Sequence, residues 1–206
     1  ALENNEDTGT LQYLASTAME VGFSTRVLDM QALDLQNGRF FDPAGELVNR
    51  CFKLYPWEWM VDESPDGCLA EMEWLEPIWK LVMSNKAILA TLYELFPDSP
   101  YVLPCYLSRP RSGLFCKKPV FSREGHNVSV VDIRDWEEYV RIAETEGDYN
   151  TGAYVYQEYV EPTAYSGRYP VIGSWIIGGE AAGIGIRENR MEVTDNLSEF
   201  VPHIIG

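Results

Sequence analysis

The sequence predicts a mixed α/β (α+β) fold, an antiparallel sheet with flanking helices preceded by a smaller α/β unit. Three observations carry this. A helix followed by a short apolar run opens the chain, a strongly amphipathic helix occupies Asn85–Phe96, and from about residue 105 the composition turns to short β-rich runs separated by glycine and proline.

Taken in order, "EDTGTLQYLASTAMEVG" (Glu6–Gly22) places Leu11, Leu14 and Met19 near helical spacing, with acids and Thr in front and Gly22 behind. "TRVLDM" (Thr25–Met30) is a strand candidate, and "NGRFFDPAGELV" (Asn37–Val48) carries turn residues at both ends of a hairpin. "RCFKLYPWEWM" predicts a strand to about Tyr55 and then an aromatic cluster; Trp57 and Trp59 suit a core better than a binding cage. Lys53, a charge inside that apolar run, either snorkels at an edge or lines a cleft. "DESPDG" (Asp62–Gly67) is a predicted loop, with helical segments around Ala70–Trp74 and Pro77–Val82.

In "NKAILATLYELF", Ile88, Leu89, Leu92 and Leu95 form one apolar face, Asn85 or Ser84 caps it, and "PDSP" ends it. Predicted strands follow at Phe115–Phe121, Val128–Val131, Ala153–Tyr159, Val171–Ile177 and Ala182–Arg187, the last two joined by a Gly178-Gly179 turn, with a helix over Arg134–Ala143 between. The organisation is thus an α/β unit over 1–60, a helical bridge over 61–104 and a sheet-rich part over 105–206. Repeats and low-complexity segments are absent.

Composition narrows the function. The 206 residues are 46% hydrophobic and 13% aromatic, a globular composition with material for a core. A formal net charge of −16 argues against nucleic acid or an anionic membrane surface as partner and is compatible with a cationic ligand. Two histidines, His126 and His203, argue against a His-rich metal site, and Cys51, Cys68, Cys105 and Cys116 form no C-x-x-C pair. No apolar run is long enough to span a membrane and no signal peptide is visible, so a cytoplasmic protein with reduced thiols is expected. The opening "ALENNEDTGT" has no initiator Met, which suggests the later part of a longer protein.

The residues with chemical content fall in the second half. "KKPVFSREGHN" (Lys117–Asn127) puts two lysines at a strand end, facing opposite ways, and follows them with a Ser122–Gly125 turn. Locally this is either a solvated strand end or a loop whose cation and backbone N–H groups hold a phosphate; it is not the G-x-x-x-x-G-K-[ST] loop. "YVYQEYVEP" (Tyr154–Pro162) is a strand whose backbone suits either a sheet neighbour or the edge of an adenine. Arg187 in "GIGIRENRM" is a rim ion pair or an anchor for phosphate or carboxylate. Lys86, in the first turn of its helix, opposes the helix dipole; it is either an exposed lysine tolerated at small cost or a local conflict of the sort found at functional positions.

Together, "FKLYPWEWM", "EPIWKLVMSNKAILATLYELFPDSPYVLP", "KKPVFSREGHNV", "YVYQEYVEP" and "YPVIGSWIIGGEAAGIGIRE" resemble, in order and spacing, the C-terminal half of the glutathionylspermidine synthase family, in its stand-alone synthetase-like form. The resemblance implies an ATP-grasp-like fold, residues 1–60 being a partial pre-ATP-grasp unit. It also implies an ATP- and Mg²⁺-dependent carboxylate–amine ligase acting through an acyl phosphate, with glutathione as the acid and spermidine as the amine. By the same resemblance, Lys86 and Lys118 correspond to two nucleotide-binding lysines, and Glu124 and Gly125 to the loop over the phosphates. Tyr156, Gln157, Glu158 and Tyr159 correspond to the adenine strand, and Glu192, Val193 and Thr194 to a later nucleotide-contacting stretch. Arg187 corresponds to an arginine at the phosphoryl-transfer transition state. The family's Mg²⁺ ligands are expected before Ala1, so no metal ligand is named and the 206 residues alone are expected to be inactive. The alternatives are a degenerate ATP-grasp module that binds nucleotide without ligation and a non-enzymatic interaction domain with an apolar surface patch.

Overall fold

The computed structural model of the chain describes residues 5–135, 138–149, 152–193 and 198–204. It is a mixed α/β structure of helices and mainly antiparallel sheets, in two compact units, residues 1–82 and 83–206.

In the first unit, helix α1 (Asn5–Glu20) ends at Gly22, whose φ of 94° takes the left-handed backbone that glycine tolerates. Strands β1 (Asp34–Gln36), β2 (Arg39–Phe41) and β3 (Leu47–Val48) form an antiparallel sheet. Asn37 and Gly38, both at positive φ, make the first turn, as their identities demand. Asp42 makes the second: its buried Oδ1 accepts from the N–H groups of Ala44 and Glu46, both at 2.9 Å, and its Oδ2 pairs with Arg26.

Thr25–Met30 is not a strand. The small sheet starts only at Asp34, and the apolar run instead feeds a 3₁₀ turn at Met30–Ala32, capped by Asp29, so that Met30 and Leu33 pack on the core. Strand β4 (Arg50–Phe52) runs parallel to β5 (Glu73–Leu75). The helix expected over Ala70–Trp74 is therefore corrected to a strand, because Trp74 enters the core only from an extended backbone beside Cys51. The loop expected over Asp62–Gly67 is likewise mostly helical: α2 (Trp57–Glu63) continues after Ser64 into α3 (Pro65–Cys68), with Pro65 at the first helical position. Phe40, Trp57, Met60 and Trp74 form the core, the rings meeting edge to face at 5.4–5.6 Å.

A 3₁₀ turn at Ile78–Lys80 runs into α4 (Leu81–Ser84). In the second unit α5 (Ala87–Leu95) starts where Asn85 Oδ1 accepts from Ala87 N at 2.9 Å. Strands β6 (Cys105–Tyr106), β7 (Gly113–Pro119), β8 (Ser129–Ile133), β9 (Tyr139–Glu144) and β10 (Tyr154–Glu158) form one antiparallel sheet in the order β6-β10-β7-β8-β9. Its two faces have separate duties. Phe115, Val131 and Ile133 are buried on one, with Tyr156 against them; on the other, Val155 and Cys105 pack under Ala90 of α5.

Of the helix expected over Arg134–Ala143, Trp136 and Glu137 lie outside the described residues, and the stretch from Tyr139 is corrected to the edge strand β9. Tyr139, Val140 and Ala143 fit helical spacing, but Tyr-Val-Arg-Ile-Ala-Glu also alternates, and pairing with β8 from Ile133–Tyr139 to Ser129–Glu144 satisfies its backbone. Strands β11 (Tyr169–Ile177), β12 (Glu180–Asn189) and β13 (Glu199–Val201) make a separate antiparallel sheet, its long hairpin turning at Gly178 and Gly179 as expected.

Candidate functional site

The chemistry gathers on one face of the five-stranded sheet. Side chains alternate along β7, so Cys116 and Lys118 share a face while Phe115 and Lys117 take the other. The register aligns Cys116 with Gln157 of β10 and Val130 of β8, and Lys118 with Val155. This face floors a cavity of about 410 Å³, with Val128, Val130, Cys116, Lys118 and Gln157 beneath it. Lys86 enters from the start of α5, and the Ser122–Gly125 turn forms a wall. Glu158, Tyr159, Glu192 and Val193 close the far side.

Each cation is placed by a specific contact. Lys118 Nζ donates to Gln157 Oε1 at 2.8 Å, a neutral acceptor, and among the described residues Lys118 forms no ion pair, so its charge remains available to an anion. Lys86 Nζ donates to the carbonyl and the hydroxyl of Ser122, the latter at 3.0 Å, while Lys86 N donates to Val120 O at 2.8 Å. The turn over the cavity is thus tied to the helix start. Within it, His126 N donates to Arg123 O at 2.9 Å, and the two central residues, Glu124 and Gly125, have φ of 56° and 73°. Two positive φ values inside a closed four-residue turn are the type I′ arrangement, and a glutamate there is uncommon.

Across the cavity the Tyr159 hydroxyl donates to Glu192 Oε2 at 2.7 Å. That hydrogen bond, with burial second, pushes the Tyr159 phenol well above its ordinary value and keeps it protonated. Burial raises the Cys116 thiol, the charge of Lys118 opposing it, so the cavity floor carries a neutral thiol at neutral pH.

Of the residues singled out in the sequence, Lys86, Lys118, Glu124, Gly125, Gln157, Glu158, Tyr159, Glu192 and Val193 come together around this cavity. Tyr156 does not: alternation puts it on the opposite face against Phe115, Val131 and Ile133, where burial raises its phenol. Arg187 lies on β12 with its guanidinium 5.9 Å from the Phe200 ring, and does not line the cavity. Thr194 lies outside the described residues. Cys116, Val128 and Val130 were missed as lining residues; counting in twos from Lys118 finds Cys116, and the cross-strand register then gives Val130. Lys53 donates to Tyr55 O at 2.7 Å, sits 3.7 Å from the Trp57 ring centre and lines a second cavity of about 480 Å³ in the first unit, so of its two readings the structure favours the cleft.

The donor set fits a polyphosphate: two lysines from separate elements and a tight turn beside an apolar floor suited to a flat base. Among the described residues no three His, Cys, Asp or Glu side chains are grouped to hold a metal ion by themselves. Among the described residues no helix is long and apolar enough to cross a membrane.

A family model described as "Glutathionylspermidine synthase preATP-grasp" matches residues 1–206. The chain is 35% identical over 207 residues to a putative acid–amine ligase of Haemophilus influenzae, covering 96% of this chain and 53% of that protein. It is 28% identical to the trypanothione synthetase of Crithidia fasciculata, over 96% of this chain and 34% of that protein. It is 26% identical to the bifunctional glutathionylspermidine synthetase/amidase of Escherichia coli, over 94% of this chain and 36% of that protein. The chain thus spans about half the length of the first relative and about a third of the other two.

Proposed function

The chain belongs to the glutathionylspermidine synthase family, and from that premise we propose that it supplies the nucleotide site of an ATP-dependent carboxylate–amine ligase. The observation that carries this reading is the convergence of Lys86, Lys118 and the Glu124–Gly125 turn on one cavity, with Gln157–Tyr159 and Glu192–Val193 opposite.

In this reading Lys86 and Lys118 neutralise the phosphates, and the turn presents backbone N–H groups to them. The end of β10 at Gln157 and Glu158, with Tyr159 just after it, borders the base, while Tyr156 contributes by packing the strand from behind. Arg187 is assigned to charge developing in the transition state, and Thr194 to the nucleotide contacts begun by Glu192. ATP, when bound, supplies the phosphoryl group that activates a carboxylate toward an amine; this chain's residues position it and balance its charge. Mg²⁺ is expected to be held by residues other than those described. The three parts are then a pre-ATP-grasp unit over 1–60, a bridge over 61–104 and the nucleotide part over 105–206, in a cytoplasmic enzyme. The acid and amine are proposed to be glutathione and spermidine, compounds that give the family its name.

The test is phosphate release by the full-length protein with ATP and Mg²⁺, measured with glutathione and spermidine together and singly. Release that requires both supports the ligase. Nucleotide binding without release under any acid and amine pair points to a degenerate module, and the absence of nucleotide binding points to an interaction domain.

A further inference from the structure

The turn beside the cavity is held by a part of the chain that does not line it. Thr145, just after β9, bridges both arms of the loop: its hydroxyl donates to Gly125 O and accepts from Val128 N at 2.9 Å, while its own N–H donates to Val128 O at 2.9 Å. Two residues further on, Asn127 Nδ2 donates to Gly147 O at 2.8 Å, and Asn127 Oδ1 accepts from Tyr149 N at 2.7 Å. Gly147 lies so close beneath the loop that a Cβ there would stand 2.5 Å from His126 Cβ and 2.9 Å from Asn127 Oδ1.

Three of the six residues from Ser122 to Asn127, namely Glu124, Gly125 and Asn127, have φ between 55° and 73°. Two of them are not glycine. Such a backbone persists only when its surroundings over-determine it. Lys86 ties down the Ser122 end, and Thr145 and Asn127 tie down the other.

We propose that Thr145 and Asn127 are positioning residues for the phosphate-facing turn, acting on nucleotide affinity through Gly125 without touching the nucleotide. The inference rests on the nucleotide reading of the cavity. Gly125 is the residue whose carbonyl Thr145 holds, so the hydroxyl fixes the orientation of the peptide next to the phosphates. Without it the turn exchanges among backbone states, and the affinity falls by the fraction of time it spends out of place.

The experiment is ATP titration of the full-length protein as wild type, Lys118→Ala, Thr145→Val, Thr145→Ser and Asn127→Gly, with thermal melting of each. Valine keeps the shape of threonine and loses the hydroxyl; glycine tolerates the positive φ of Asn127, loses the amide and adds backbone freedom to the turn. Thr145→Val and Asn127→Gly are expected to raise Kd about threefold to tenfold, the worth of one or two net hydrogen bonds. Thr145→Ser should return toward wild type. If Thr145→Val does not fold, Asn127→Gly decides. Wild-type affinity in Thr145→Val and Asn127→Gly, beside a loss in Lys118→Ala, overturns the positioning role and leaves the cavity reading standing. Equal weakening by the valine and serine variants also overturns it, since the hydroxyl is then not the cause. A wild-type protein that binds no ATP, or binds it as well without Lys118, overturns the cavity reading and this inference with it.

Discussion

The two sheets of the second unit differ in what they do with their side chains. The five-stranded sheet is filled on both faces of its central strands, while its edge strand β9 is exposed: Val155 is fully buried, and Val131 and Ile133 are 1% and 2% exposed. The β11-β12-β13 sheet is open, with Trp175, Ile177 and Phe200 exposed at 67%, 66% and 79%. Long-range packing fixes Lys118 and Gln157 against a rigid floor, whereas Arg187 rides on a hairpin held chiefly by its own ladder. A binding site needs positions held to a fraction of an ångström, and here only the filled sheet supplies that support.

The contrast is easiest to break by truncating the same residue type in each sheet. Ile133→Ala should cost about 2–5 kcal/mol of stability, because its neighbours Phe115 and Val131 are too tightly packed to collapse. Ile176→Ala, at a position 63% exposed, should stay within about 0.5 kcal/mol. Denaturant melts of the two variants compare the sheets directly, and similar losses would show that the open sheet is buried in the protein as it functions.

Lys86→Ala comes next. It removes one cavity-lining charge and the tie to Ser122, and ATP affinity should fall by about 1.5–3 kcal/mol, as for a hydrogen bond to a charged group. Arg187→Ala should change ATP affinity by only about 0.5 kcal/mol or less, the scale of substitutions away from packed sites, while lowering turnover. An equal loss of affinity in both variants would bring the hairpin into the binding site and blur the distinction.

The smallest effect concerns Cys116. Burial raises its thiol above the ordinary 9.0, so its thiolate is scarce at neutral pH. The raised value means that the protonated thiol contributes stability below pH 9.0, and that this is lost as the pH rises through the higher folded value. Alkylation by iodoacetamide, followed by mass spectrometry, should rise with pH along a midpoint above that of a free cysteine. ATP should slow it. Lys118→Ala should move the midpoint higher still, because Lys118 favours the thiolate.

Much of this second unit is legible in the sequence. Asn85 caps α5, the glycines mark the β11–β12 turn, and alternation along "FCKKP" by itself separates Lys117 from Lys118. Two of the failures originate in long-range pairing. Glu73–Leu75 becomes a strand only because Arg50–Phe52 lies beside it, and Tyr139–Glu144 only because β8 offers an edge. Local periodicity fits both a helix and a strand in "EYVRIAE", and the sheet decides. In the site, the lysines and the glycine turn are visible as residue types and Cys116 by alternation from Lys118, whereas Val130 enters through cross-strand register and Thr145 through a hydroxyl 20 residues away from Gly125. No local pattern encodes such distances.

The account turns on Lys118, which holds a positive charge at the cavity floor beside a neutral amide. The most direct measurement is a calorimetric ATP titration of the full-length protein, with and without Mg²⁺, set beside Lys118→Ala. The account predicts saturable binding that weakens about tenfold to a hundredfold in the variant, the worth of one charge-assisted contact. Equal binding by both proteins, or none by the wild type, would contradict it.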